Sequence, residues 1–98
     1  MQVSVVGLGW YAREDYKRLK TMFVDGEQLP DTFEDWLKSA EAIFSKLMGE
    51  GHMVVKANID PDTFLEWCRT RGLELNAKAR MDYSNECAAN EYRMRHQQ

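Results

Sequence analysis

Residues 52–67 read HMVVKANIDPDTFLEW and hold the clearest strand signal of the chain, followed at once by a helix start. Apolar and β-branched side chains fill Met53–Ile59, and Asp60-Pro61 follows without a spacer. This order is typical of a buried strand that leads directly into a helix. The sequence therefore predicts a strand over Met53–Asn58 and a helix from about Pro61 to Arg71, which Gly72 ends.

The segment before this strand carries the strongest helical pattern. From about Asp31 to Met48 the apolar residues recur at helical spacing and fall on one face roughly 120° wide. These residues are Phe33, Trp36, Leu37, Ala40, Ile43, Phe44 and Leu47. We expect this helix to be the centre of the core.

The first part of the chain predicts a strand over Gln2–Leu8 and a helix over about Tyr11–Val24. Gly7 and Gly9 lie between them and indicate a turn. The GLG run is similar to part of a dinucleotide-binding fingerprint, but its third glycine is missing, which favours an ordinary strand-to-helix turn. The apolar stripe of the helix consists of Ala12, Tyr16, Leu19 and Phe23.

The last helix is predicted over about Ala77–Arg95, with Asn76 as its cap. Its most apolar line consists mainly of small residues: Ala77, Met81, Ser84, Ala88 and Tyr92. Small side chains let another backbone approach closely, so we expect this helix to lie flat against a neighbouring element.

Together these elements predict an α+β fold of four helices packed on a minimal two-stranded sheet, in the order β1-α1-α2-β2-α3-α4. A chain of 98 residues is expected to form one domain, residues 1–98. Strand Met53–Asn58 should pair with Gln2–Val6, with a strand of a partner, or with both, since an apolar strand with open edges promotes aggregation. This motivates the prediction of a homodimer. The predicted core comprises Leu19, Phe23, Phe33, Trp36, Leu37, Phe44, Leu47, Val54, Phe64, Trp67 and Cys68.

A short motif occurs twice. PDTF followed by Trp three positions later appears at 30–36 and again at 61–67. A shared way of starting a helix explains the likeness better than a true repeat. Thr32 can cap the first copy, whereas Thr63 and Asp60 compete in the second. In either case the Phe and Trp of each copy should face inward together.

Composition excludes several classes of protein. The net charge is −3 and the pI is about 5.3, which gives no general reason to bind nucleic acid or anionic lipid. No apolar run is long enough for a transmembrane helix, and the N-terminus does not resemble a signal peptide. Cys68 and Cys87 show no metal-binding or redox spacing, so we expect reduced thiols in a cytoplasmic protein.

No residue pattern predicts an active site. Cys68 falls on the apolar face of its helix, where burial suppresses reactivity. His52 and His96 lack a second ligand at helical spacing. The neighbouring carboxylates Glu14-Asp15 and Glu34-Asp35 point apart on a helix. We therefore predict no catalytic residue, no metal site and no cofactor, and an enzyme is the less favoured class.

Two sets of residues are candidates for binding. Aromatic residues beside Arg are enriched in binding hot spots, which indicates Trp10, Tyr11, Arg13 and Tyr16. The corner between the last two helices resembles a helix-turn-helix and carries Arg69, Arg71, Lys78 and Arg80. Equal numbers of acids and bases over 61–98 argue against DNA there. The predicted binding residues are Trp10, Tyr11, Arg13, Tyr16, Arg71 and Arg80.

The favoured function is a non-enzymatic module that binds protein, itself included, through an aromatic-rich face. Two alternatives stay open. One is a nucleic-acid-binding regulator that uses the corner of the last two helices. The other is a small enzyme or ligand binder with a pocket near Trp10, Arg13 and Cys68.

Four segments together resemble small uncharacterised bacterial proteins. They are WYAREDY at 10–16, LPDTFEDW at 29–36, MVVKANIDPDTFLEWCRTRGLELNAKAR at 53–80 and DYSNECA at 82–88. The resemblance covers about residues 10–90. It implies a soluble bacterial protein and assigns no activity and no functional residue.

Overall fold

The computed structural model describes residues 4–95. The strands are β1 (Val5–Trp10) and β2 (Met53–Asn58), and the helices are α1 (Tyr16–Met22), α2 (Phe33–Gly49), α3 (Pro61–Arg71) and α4 (Ala77–Arg95). Single 3₁₀ turns occupy Arg13–Asp15 and Gly26–Gln28. The predicted α+β class and the order of elements are confirmed. Gln2, Val3 and His96 lie outside the described residues.

The two strands pair in parallel, from Val5 opposite Met53 to Trp10 opposite Asn58. The predicted pairing of β2 with the first strand is confirmed, but that strand continues to Trp10 instead of ending at Val6 or Leu8. The predicted turn at Gly7 and Gly9 is wrong, since both glycines lie inside β1.

The reason for glycine inside β1 is the close approach of α4. A Cβ atom built on Gly7 would lie 1.9 Å from the backbone oxygen of Ser84, and one built on Gly9 would lie 3.2 Å from the Ser84 hydroxyl. Glycine in a strand marks such a place. Ser84 and Ala88 are fully buried, which confirms that small residues let α4 lie flat. Ala77 and Met81, expected on the same buried line, are exposed.

The two copies of the PDTF motif start their helices in different registers. In α2, Thr32 is the cap, and its hydroxyl accepts from the Asp35 amide at 3.1 Å. In α3, the Asp60 carboxylate accepts from the Thr63 amide at 2.9 Å, with Pro61 in the first turn. An acidic cap followed by proline displaces the threonine when it is available.

Helix α1 is shorter than predicted. Tyr11 and Ala12 precede it, and the chain leaves it at Phe23, whose backbone is extended. Val24 then donates its amide to the Leu75 carbonyl at 2.9 Å. The bond to Leu75 ties the end of α1 to the connection between α3 and α4, which accounts for the early end of the helix.

The core is a continuous array of aromatic rings. Successive ring centroids lie 5.3, 4.6, 5.8 and 5.9 Å apart in the order Trp10, Trp36, Tyr11, Phe23, Phe64. Phe33 adjoins Trp36 at 5.5 Å and Trp67 adjoins Phe64 at 6.2 Å. Each Phe–Trp pair thus lies at one end of the array, and Tyr11 and Phe23 connect the two pairs.

The residues predicted to form the core divide into two groups. Leu19, Phe23, Trp36, Phe64 and Cys68 are buried in one cluster, and Phe33, Leu37 and Trp67 pack against it. Phe44, Leu47 and Val54 are half-buried. The second half of α2 thus contributes less to the core than its regular pattern indicates, and Ile43 remains 49% exposed.

Candidate protein-docking groove

Among residues 4–95 the outer edge of β1 has no strand partner, and the same holds for the outer edge of β2. On its inner edge, Ser4 and Trp10 accept amide hydrogen bonds from Met53 and Ile59, each at 2.8 Å. In a strand, alternate residues direct their backbone groups to opposite edges. Val5, Gly7 and Gly9 therefore present their N–H and C=O groups outward.

A side chain occupies the middle of this edge. The Gly7 amide donates a hydrogen bond to the Oδ1 atom of Asn85 at 3.0 Å. Asn85 lies on α4 and is exposed. The carboxamide oxygen of Asn85 thus takes the position that the peptide carbonyl of an added strand would take. Both groups offer an amide oxygen as the acceptor.

An open groove of about 400 Å³ follows this edge. Its floor is β1, and its wall on α4 carries Met81, which is 62% exposed. The complete lining is Val6, Gly7, Leu8, Gly9, Tyr11, Arg80, Met81 and Asn85. Since Arg80 is the one charged residue among them, the groove offers mainly apolar surface and backbone hydrogen-bonding groups.

The charge of Arg80 is neutralised within the protein. Its guanidinium makes two hydrogen bonds of 2.8 Å to the carboxylate of Asp25, and the two side chains are only 12% and 23% exposed. These hydrogen bonds lower the pKa of the Asp25 carboxyl. Burial raises the pKa of the adjacent Tyr11 hydroxyl. The pair is a fixed, neutral support at the end of the groove.

Helix α4 presents two different ridges to solvent beside the groove. Residues four apart form a ridge on a helix surface. One ridge, here called the uncharged ridge, consists of Ala77, Met81, Asn85 and Ala89, all exposed. The next ridge consists of Lys78, Asp82 and Glu86, also exposed. Of these two ridges, the uncharged one contributes Met81 and Asn85 to the groove, and none of the three charged residues of the other lines it.

The predicted aromatic binding residues lie mostly inside the protein. Tyr11 and Tyr16 are buried, and the Tyr16 hydroxyl donates to the Pro30 carbonyl at 2.5 Å. Trp10 is half-buried, and the Lys56 ammonium lies 4.4 Å from the centroid of its ring. Of these residues, Tyr11 is the one that also lines the groove.

Arg13 is exposed at a different place. It forms an ion pair with Glu34, and its guanidinium lies 4.7 Å from the Phe33 ring centroid. It lines a separate cavity with residues of α1 and the start of α2, whereas Cys68 lines a third cavity with Leu65 and Leu73. The structure therefore does not bring Arg13 and Cys68 into the same cavity.

The four bases at the corner of α3 and α4 all have acidic partners. Arg69 pairs with Glu66 at 2.6 Å, Lys78 with Asp82 at 2.9 Å and Arg80 with Asp25 at 2.8 Å. Arg71 lies 3.7 Å from Glu86 and covers the Trp67 ring. Phosphate binding depends on cations whose charge is not already compensated. This corner offers little electrostatic attraction to nucleic acid.

The thiols lie in surroundings that suppress reactivity. Burial raises the pKa of the Cys68 thiol and of the Cys87 thiol. A thiol with a raised pKa holds little of the nucleophilic thiolate at neutral pH. Within residues 4–95 no group of three His, Cys, Asp or Glu side chains is placed to hold a metal ion.

The sequence does not predict the groove, because the two glycines that mark it, Gly7 and Gly9, are also typical of a turn. Gly7 and Gly9 alternate with Val6 and Leu8, a spacing that also fits a strand crossed closely by another backbone. Asn85 and Met81 carry no distinctive pattern of their own. Their role follows only from the contact between β1 and α4.

Within the described residues, no helix has both the length and the apolar character needed to cross a bilayer. Comparison with curated proteins and with solved structures yields no match. A family model described as Domain of unknown function (DUF8829) matches residues 2–98. With that match extending over nearly all of the sequence, the chain belongs to the DUF8829 family.

Proposed function

We propose that this protein is a protein-interaction module that accepts an extended segment along the outer edge of β1. The observation that carries the proposal is the hydrogen bond from the Gly7 amide to the Asn85 carboxamide. A side-chain amide in that position satisfies the strand edge in the absence of a partner. A peptide carbonyl is the chemically equivalent replacement, as in the addition of a strand to an open sheet edge.

The groove also defines the chemistry of the segment. Val6 and Leu8 project on the face of the sheet away from α4, since Gly7 and Gly9 meet α4. Both are half-buried, so a bound segment gains by covering them. Because Asp25 already compensates Arg80, neither sign of charge is favoured. The expected occupant is uncharged, apolar and extended.

A peptide-selection experiment tests this proposal. A random peptide library is selected against the immobilised protein, and the enriched sequences are synthesised and titrated into ¹⁵N-labelled protein. We expect uncharged, β-branched sequences that shift the amide resonances of Gly7 and Gly9. The amides of Gly49 and Gly72 serve as internal controls, because neither residue lines the groove. Selected peptides that shift other regions instead, or a selection without enrichment, would contradict the proposal.

A matched pair of variants sharpens the result. Val6→Lys places a charge in the lining of the groove, on the edge strand itself, a device that natural proteins use to block strand edges. Ser45→Lys places the same charge at an exposed position of α2. We expect the first variant to lose peptide binding and the second to retain it. A cytoplasmic location for the protein stays a prediction.

A further inference from the structure

We infer that the occupant of this groove is β1 of a second copy of the chain, paired antiparallel about a two-fold axis at Gly7. The inference rests on the proposed function and names its partner. It would join two two-stranded sheets into one four-stranded sheet, in the order β2-β1-β1-β2. Each copy would supply the strand that the other lacks.

The hydrogen-bonding groups of β1 fit this symmetry. Val5, Gly7 and Gly9 are the residues that face outward, and Gly7 is the middle one. In an antiparallel ladder, two opposed residues exchange both of their N–H···O bonds at alternate positions. Centring the axis on Gly7 pairs Gly7 with its own copy and pairs Val5 with Gly9 of the other copy. All the outward groups of these three residues are then used.

The same register pairs the apolar side chains. Val6 of one copy stands directly opposite Leu8 of the other, and this contact occurs twice. Both side chains are half-buried in the single chain. Cross-strand apolar pairs of this kind stabilise an antiparallel ladder. A register centred on Val5 places Val6 opposite Ser4, and one centred on Gly9 places Leu8 opposite Trp10, so neither pairs Val6 with Leu8.

The charge distribution permits a copy to meet itself. No residue of β1 is charged, and β1 contains neither the Lys nor the Pro that commonly protects an edge strand. Beside it, the uncharged ridge of α4 would face its symmetry mate. In an interface between two copies related by a two-fold axis, a charged residue near the axis lies beside its own like charge. The uncharged ridge carries no such residue beside Gly7.

Asn85 is the element that must move. Its carboxamide holds the Gly7 amide in the single chain, so pairing requires the side chain to turn away. Without the Asn85 carboxamide, the incoming strand no longer competes with it for the Gly7 amide. Asn85→Ala is therefore expected to strengthen association, while it leaves the edge itself unchanged.

The first experiment measures the mass of the full chain by light scattering over a range of concentrations. We expect a dimer, with a dissociation constant lowered by Asn85→Ala and raised at least ~10-fold by Val6→Lys. Ser45→Lys is the control and should leave the constant unchanged. A monomer at millimolar concentration would overturn the inference.

Cysteine pairing tests the register. Residues directly opposite each other at the non-hydrogen-bonded positions of an antiparallel pair have Cα atoms ~4.5 Å apart. A disulfide can bridge this distance. A mixture of a Val6→Cys protein and a Leu8→Cys protein should cross-link on mild oxidation. Either protein alone should not. The unmodified chain reports the background from Cys68 and Cys87. Cross-linking of Val6→Cys with itself would contradict the axis at Gly7.

The outcomes separate the two proposals. If the chain stays monomeric but binds selected peptides at Gly7 and Gly9, the pairing with a second copy is contradicted and the docking groove is supported. If the chain stays monomeric and binds no peptide there, both proposals are contradicted. A dimer unaffected by Val6→Lys contradicts the inference and locates the interface elsewhere.

Discussion

The two sides of β1 differ sharply in how they are used. Towards α4, Gly7 allows the backbone at Ser84 to approach until no space for a methyl group remains, and Gly9 lies against the Ser84 side chain. Towards the outer edge, the same strand opens on a groove, where the Gly7 amide donates to the side-chain carboxamide of Asn85. A strand of six residues thus combines a tightly packed face with an unpartnered edge.

The difference indicates where sequence change is tolerated. Close packing of two backbones admits no added atom, because neither can move without moving its whole element. An open edge admits changes of side chain at little cost to folding, yet its binding properties change with them. Stability and recognition in β1 therefore depend on different atoms of the same residues.

The largest expected effect is on the packed side. Gly7→Ala places a methyl group against the Ser84 carbonyl, and α4 must shift to accommodate it. We expect the free energy of unfolding to fall by about 3 kcal/mol or more, above the usual cost of overpacking. Urea denaturation measures it. Gly49→Ala is the control: its Cβ meets nothing within 4 Å, so stability should stay the same or rise.

Arg80→Ala should have the next largest effect. It leaves the Asp25 carboxylate without its partner and removes the guanidinium from the Phe23 ring, 4.3 Å away. Breaking a fully buried pair costs about 3–5 kcal/mol, and the partial exposure of Asp25 reduces this to about 2–3. Lys78→Ala breaks an exposed pair of the same helix and should cost ~0.5 kcal/mol or less. Equal effects of the two substitutions would contradict the structural role given to Arg80.

A smaller effect is expected on the pH dependence of stability. The hydrogen bonds from Arg80 lower the pKa of Asp25 in the folded protein, so the folded state binds fewer protons there than the unfolded state. The stabilisation is complete above the unfolded pKa of ~3.9 and is lost as the pH falls through the folded value. Unfolding of Asp25→Asn should therefore depend less on pH in this acidic range than unfolding of the unmodified protein. If the free energies of unfolding of the two proteins change with pH in parallel, the Asp25 carboxylate contributes nothing to the pH dependence of stability.

The smallest effect concerns Ser84 itself. Its hydroxyl oxygen is buried and has no hydrogen-bond partner among the described residues. Ser84→Ala removes an unsatisfied polar atom, so stability should rise by up to ~1 kcal/mol. Ser45→Ala, exposed on α2, gives the gain from helix propensity alone. If Ser84→Ala stabilises the protein less than Ser45→Ala does, the Ser84 hydroxyl has a buried hydrogen-bond partner, such as a water molecule.

Much of the fold is encoded locally and could be predicted. The bounds of α3 follow from Asp60-Pro61 and Gly72, and the cap of α4 is Asn76, whose side chain accepts from the Ala79 amide at 2.9 Å. Such signals depend on neighbours within one turn of the chain. The reach of β1 could not be predicted in this way, because its glycines are explained by α4, nearly eighty residues later.

The candidate groove was harder to predict than the fold for the same reason. Arg80 is predicted from the sequence to be a binding residue, yet Asp25 lies against it from the other half of the chain. Tyr11 was assigned to recognition, yet its ring packs 4.6 Å from that of Trp36. Composition identifies residue types suited to binding. Whether such a residue is accessible depends on contacts that are distant in sequence.

The parallel pairing of β1 with β2 has a consequence for how the chain is made. Val5 meets Met53, so the first strand finds its partner only after half of the protein has been synthesised. Contacts between residues so distant in sequence form slowly. During translation, the uncharged segment Val5–Trp10 remains exposed on both edges until β2 emerges from the ribosome. This interval is when the nascent chain is most prone to aggregate, and chaperone binding to the N-terminal segment would offer the greatest benefit then.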